Sequence, residues 1–69
     1  MHIPDGVNEI ENCAFQYCAN LEDVYIPNSV QSIGMKVFDG CSRVTIHSTK
    51  GSVAEKYAAD NNIAFTTDY

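Results

Sequence analysis

The side chains with intrinsic reactivity in this chain are three cysteines, Cys13, Cys18 and Cys41, and two histidines, His2 and His47. A cysteine nucleophile needs a base within hydrogen-bond reach and a further group to orient that base, and no motif here joins a Cys to a His in that way. Cys13 and Cys18 are five positions apart and Cys41 follows 23 after Cys18. That is not the C-x-x-C spacing of zinc or redox sites. His2 and His47 have no ligand spacing between them, and the Asp and Glu residues do not alternate as in a calcium loop. The expectation is therefore no catalytic residue, no metal and no cofactor. Cys18 and Cys41 read as inward, inert thiols packed like small apolar residues. Cys13 reads as exposed, because its counterpart one period on is Lys36, and so as a thiol able to link two chains.

What positions these residues is an internal repeat. Ile3-Pro4-Asp5-Gly6-Val7 is echoed by Ile26-Pro27-Asn28-Ser29-Val30, and the same offset relates Ile10 to Ile33, Phe15 to Phe38 and Cys18 to Cys41. Every residue that is identical between the two copies is apolar, Pro or Cys. A fixed period of this size marks a repeat architecture, in which each unit buries its apolar side against the next. Pro-Asp-Gly and Pro-Asn-Ser are turn chemistry, and Val7, Ile10, Val30 and Ile33 follow as inward positions. Cys13-Ala14-Phe15 with Cys18 has helix-like spacing over one or two turns. Leu21 to Ile26 reads as a strand, with Val24 and Ile26 on one face and Tyr25 on the other. Keeping each inward position apolar sets Val44-Thr45-Ile46 opposite Val24-Tyr25-Ile26, with three residues missing after Cys41.

From His47 the chain changes character. His47-Ser48-Thr49-Lys50-Gly51 reads as a polar loop. Ser52-Val53-Ala54-Glu55 is a capping box that starts a helix running through Ala59, with Val53, Ala54, Tyr57 and Ala58 as its apolar stripe. Asp60-Asn61-Asn62 ends the helix, since Asn tolerates the left-handed conformation. Ile63-Ala64-Phe65 is a last short strand, followed by a polar tail to Tyr69.

The phrase Ile-Pro-x-x-Val-x-x-Ile, then Ala-Phe or Val-Phe, then Cys, then Leu-x-x-Val-x-Ile-Pro resembles the BspA-type leucine-rich repeat. Ile26 to Gly34 and Phe38 to Cys41 follow that pattern closely, and residues 51–65 look like the closing segment of such arrays. Departures are Glu11 and Tyr17 where the family prefers Gly, and Val37 where it prefers Ala. The resemblance spans residues 3–66. It implies an α/β leucine-rich-repeat solenoid of short stacked strands, turns and short helices, closed by a C-terminal helix–strand cap. One domain would divide into a repeat at 3–25, a repeat at 26–46 and the cap at 47–69. It also implies a non-enzymatic interaction or adhesion module of a bacterial or protozoan surface or secreted protein, with a host or extracellular-matrix protein as partner.

Charge and length restrict the alternatives. Four Lys and Arg against nine Asp and Glu give a net charge of −5, which disfavours nucleic acid and anionic membranes. No apolar run approaches the ~20 residues of a spanning helix, and the start shows no secretory signal pattern. A domain of 69 residues buries only about 60% of its unfolded surface. The first copy of the phrase begins without lead-in at Ile3, so the chain is expected to be the C-terminal part of a longer array. Its side bearing Ile3, Val7, Ile10 and Phe15 would otherwise serve self-association into a homo-oligomer. The recognition surface is expected on the outward side of the strands, at Glu22, Asp23, Tyr25, Arg43, Thr45 and His47, since aromatic side chains there contribute contact area at low entropic cost. The rival functions are a self-assembling unit without foreign ligand and, least supported, a Cys-dependent enzyme.

Overall fold

Segments one period apart in sequence lie side by side in space. The computed structural model describes residues 1–68 and contains β1 (Glu9–Ile10), β2 (Asp23–Tyr25), β3 (Ser32–Ile33), β4 (Thr45–His47), α1 (Val53–Asp60) and β5 (Ala64–Thr66). β1 pairs with β3 in parallel, Ile10 opposite Ile33. β2, β4 and β5 form a second parallel sheet with β4 in the middle, and His2 adds a parallel bridge to Tyr25 on the outer edge of β2. Parallel pairing needs a crossover between partners. Here each crossover is one period of turns, or α1 between β4 and β5.

The link through residues 13–18 is a run of tight turns and not the helical turns that the Cys-Ala-Phe spacing predicted. The amides of Cys13, Phe15 and Tyr17 donate across to the carbonyls of Met35, Val37 and Asp39, at 3.0, 3.1 and 2.7 Å. The intervening amides of Ala14, Gln16 and Cys18 donate back three residues, to Glu11, Cys13 and Phe15. This alternation needs left-handed backbone at every fourth residue: φ is 61° at Cys13 and 64° at Tyr17, and 58° and 82° at their counterparts Lys36 and Gly40. A helix has no such positions. Every second amide is instead used to bind the neighbouring segment.

The core is drawn from the identical and apolar positions of both copies. Val24, Ile26, Val37 and Ile46 are almost wholly buried, with Ile10, Val30, Phe38, Cys41 and Val44 around them. Full burial of an aliphatic side chain contributes roughly 1.5–3 kcal/mol, so these few residues are what a chain of this size relies on. Val24 and Ile26 face inward and Tyr25 lies on the other side, as the alternation predicts.

The register between β2 and β4 differs from the one expected. Val24 lies opposite Ile46 and Tyr25 opposite His47, so one residue is missing relative to the first copy, not three. A shift of two residues leaves side-chain parity unchanged, and for that reason apolar alternation could not choose between the two registers. His47 thus belongs to β4, and the expected boundary at 46/47 falls inside that strand. Ser48 is also not part of a solvated loop. It is buried in the place corresponding to Ile26, where its hydroxyl donates to the Ile26 carbonyl at 2.8 Å.

α1 begins at Ser52, whose hydroxyl accepts the Glu55 amide at 3.2 Å. The Glu55 carboxylate reaches back to the Gly51 amide at 2.7 Å, one residue before the usual capping-box partner. Ala54 and Ala58 are buried and Tyr57 is half-buried, but Val53 is exposed, so the apolar stripe is narrower than expected. Asn62 takes the left-handed conformation after the helix (φ 56°), and the Ile63 amide donates to Ala58, the hydrogen bond of a Schellman ending. The Tyr57 hydroxyl accepts the Val37 amide and its ring meets Phe38 edge-on, tying α1 to the second copy. β5 runs from Ala64 to Thr66, one residue later than expected. Of the polar tail, Tyr69 lies outside the described residues.

Candidate interaction surface

Strand alternation puts Asp23 and Tyr25 of β2, Thr45 and His47 of β4, and Ala64 and Thr66 of β5 on one side of the larger sheet, away from Val24, Ile46 and Phe65. Across it runs a stack of rings. His2 lies 4.3 Å from Tyr25 with planes 9° apart, and Tyr25 lies 4.2 Å from His47 at 22°. Stacked cross-strand pairs of this kind add to sheet stability beyond area burial. The stack follows the repeat: His2 stands 23 residues before Tyr25 and His47 stands 22 after it. The same offset that relates Ile3 to Ile26 could have located His2 in the sequence.

His47 is the most enclosed member, with only 11% of its side chain exposed. Its Nε2 lies 2.8 Å from Asp23 Oδ1 and its Nδ1 lies 2.8 Å from the Asp68 carbonyl oxygen. The bond to Asp23 raises the His47 pKa above its ordinary 6.5, the Asp68 carbonyl adds to that, and burial opposes it. The N-terminal ammonium of Met1 donates to the Asp23 carbonyl at 2.7 Å, closing this corner of the sheet.

Of the six residues expected to form a recognition surface, Asp23, Tyr25, Thr45 and His47 share the outward side. Asp23 is exposed, Tyr25 and Thr45 are half-buried, and His47 is too enclosed to offer more than a ring edge. Glu22 and Arg43 are exposed but stand just ahead of the strands, at the rim of that side. Of the residues expected on a self-association face, Ile10 is a core residue at 4% exposure, whereas Ile3, Val7 and Phe15 are half-buried.

The cysteines divide differently from the expectation. Cys41 is buried, and its thiol donates to the Phe15 carbonyl of the preceding copy at 3.1 Å. Cys18, expected to be inward like Cys41, is exposed along with Cys13. The reason is positional: what covers Cys41 is the neighbouring copy, and no described segment lies against Cys18 in the same way. The Cys41 thiol is committed to a carbonyl and both nitrogens of His47 are committed to Asp23 and Asp68. Among the described residues no group of three or more His, Cys, Asp or Glu is arranged to hold a metal ion.

Apart from this sheet side, a concave region of about 610 Å³ lies between the 36–44 turns and the end of α1. Phe38, Cys41, Val44 and Tyr57 line it, with the exposed Lys36 and Asp39 beside them. It is partly open to solvent, and brings no nucleophile to a base. No helix among the described residues is long and apolar enough to cross a membrane.

A sequence profile of the BspA type leucine rich repeat region (6 copies) matches residues 1–66. No curated protein and no solved structure matches the chain significantly. Leucine-rich repeats of this kind generally mediate protein interaction or adhesion, are typically non-enzymatic, and are typically found in extracellular or surface proteins. The period, the parallel pairing one period apart and the profile agree: the chain belongs to the BspA-type leucine-rich repeat family.

Proposed function

We propose that this chain is a non-enzymatic protein-interaction module of a surface or secreted protein, built as a short solenoid. Two stacked units, residues 3–25 and 26–47, are closed by the helix and strand of residues 48–68, which cover the second unit and turn their polar side to water. The observation that carries this reading is the difference between the two sides of the larger sheet. Inward positions repeat their character from unit to unit, Val24 opposite Ile46, while outward positions change, Asp23 opposite Thr45 and Tyr25 opposite His47. Core positions serve packing, and the outward positions that reach solvent serve recognition. The binding side consists of Asp23, Tyr25 and Thr45, with Glu22 and Arg43 at its rim, and the partner is an extracellular protein.

Binding of a panel of immobilised extracellular-matrix proteins, read by interferometry, tests this. The double change Glu22→Lys with Arg43→Glu should weaken any binding tenfold or more while Lys56→Glu, on the far face of α1, leaves it intact. Loss with Lys56→Glu and not with the double change would move the site elsewhere.

One contrast favours a second reading. Ile3, Val7 and Phe15 are half-buried where their counterparts Ile26, Val30 and Phe38 are buried. The first unit therefore has apolar surface to cover, by an upstream unit or by a second copy of the chain. Sedimentation across a hundredfold concentration range distinguishes them: an isolated chain that stays monomeric does not self-assemble through this side.

A further inference from the structure

Both ring nitrogens of His47 face groups that can only accept hydrogen bonds. The Asp68 carbonyl oxygen has no proton to give, and an ionised Asp23 carboxylate has none either. A neutral imidazole carries one N–H and one bare lone pair, so it can satisfy one of these contacts and must set a lone pair against an oxygen at the other. Only the imidazolium satisfies both at 2.8 Å. We propose that His47 is a proton-operated clasp: as imidazolium it ties the segment after β5 to β2 across β4, and on losing a proton it releases that segment.

Every element packed against the ring bears on its charge. β2 supplies the Asp23 carboxylate and the Tyr25 ring, whose face 4.2 Å away attracts a cation. The tail supplies the Asp68 carbonyl and, nearby, the Asp68 carboxylate. On the opposing side, the Met1 ammonium lies at the Asp23 backbone carbonyl, and His2, stacked on the other face of Tyr25, adds a like charge when it is protonated. The two carboxylates and the carbonyl touch or adjoin the ring, whereas the two cations act past Asp23 and Tyr25, so the charged form is favoured. The direction of the His47 shift agrees, with its bond to Asp23 as the largest cause.

The geometry also decides which contact is lost. A carboxylate is a stronger acceptor than a carbonyl, so the proton that remains stays on Nε2 toward Asp23. The bare lone pair then faces the Asp68 carbonyl, and it is the tail that lets go. β5 itself stays paired with β4 through the Ile46–Phe65 ladder, so opening is confined to residues 67–68. The clasp sits beside the proposed recognition side, but its existence does not depend on that reading.

The test is an NMR titration of the 69-residue protein from pH 5 to 9, following the His47 ring nitrogens by long-range ¹⁵N–¹H correlation and residues 66–68 by ¹⁵N heteronuclear NOE. At pH 6.5, where a peptide histidine is half protonated, His47 should be predominantly imidazolium with protons on both nitrogens. As pH rises the Asp68 amide NOE should fall with the same midpoint as the His47 ring, while the Ile46 methyl shifts stay put. Asp23→Asn should move the His47 midpoint down, and His47→Gln should leave the Asp68 NOE independent of pH. A ring that is chiefly neutral at pH 6.5, or an Asp68 NOE unchanged through the His47 titration, would overturn the proposal from the unaltered protein alone.

Discussion

Gly34→Ala should be strongly destabilising, and its sign is informative. Gly34 does not have positive φ, and an alanine with ordinary backbone angles usually stabilises by about 0.4–1 kcal/mol through the unfolded state. At Gly34, however, a Cβ would fall 2.6 Å from the Asn12 amide nitrogen and 2.9 Å from Asn12 Cα, and closer still to Asn12 Oδ1. Two of these atoms are backbone and cannot swing aside. Relief to an ordinary contact means parting the two segments by roughly 0.5–1 Å. Three hydrogen bonds cross that seam: Gly34 amide to Ile10 carbonyl at 2.7 Å, Met35 amide to Asn12 Oδ1 at 2.7 Å, and Cys13 amide to Met35 carbonyl at 3.0 Å. At about 1 kcal/mol each, their weakening and the residual overlap cost about 2–4 kcal/mol after subtracting the entropic gain. A domain of this length has of the order of 3–10 kcal/mol to lose, and 1 kcal/mol is worth about 4–8 °C of Tm at this size. Urea unfolding followed by far-UV circular dichroism should show the loss, with Glu11→Ala as control, since Glu11 is the exposed counterpart of Gly34 one period earlier. A Gly34→Ala protein as stable as the parent, or more stable, would refute the close stacking of the two segments.

Other consequences are quicker to check. In native protein, a thiol reagent should label Cys13 and Cys18 within the time needed for a free cysteine, and label Cys41 at least a hundredfold more slowly; mass spectrometry of the peptides reads this directly. Ser52→Ala removes the acceptor for the Glu55 amide and should cost about 1 kcal/mol in urea unfolding, whereas Thr49→Ala in the exposed turn should cost less. The folded-state pKa of His47 is raised above its unfolded 6.5. Its contribution to stability is therefore complete below about pH 6.5 and is lost as pH rises through the folded value. The urea midpoint should fall between pH 6 and pH 8.5, and His47→Gln should remove that part of the fall.

The parts of the fold that were legible are those where residue type and geometry correspond one to one. Ile26, Val30 and Phe38 repeat because a core position accepts only apolar groups of similar size, and Ser52 with Glu55 marks a helix start because few other pairs satisfy the free amides there. The β2–β4 register was not legible, because Val44 and Ile46 alternate equally well in frames two residues apart. Nothing in Ser48 or His47 as residue types announces burial. Each is satisfied by a partner that only the fold supplies, the Ile26 carbonyl for one and Asp23 with Asp68 for the other. The turns at residues 13–18 were hidden for a related reason. Cys13 and Tyr17 carry a left-handed conformation that ordinarily costs about 1–2 kcal/mol outside glycine, and here the cross-segment hydrogen bonds offset it. On the outward side, Asp23, Tyr25 and Thr45 could be placed from alternation alone, but the enclosure of His47 and the ring stack depend on the register.

That register is the claim on which the recognition side, the stack and the clasp all rest, and a single measurement addresses it. In a ¹³C-edited NOESY spectrum, the Tyr25 ring protons should show strong cross-peaks to the His47 ring and to the His2 ring, with the Val24 methyls meeting those of Ile46. Tyr25 contacts to the Thr45 methyl with none to the His47 ring, and Val24 beside Val44, would place β4 two residues out and contradict the account.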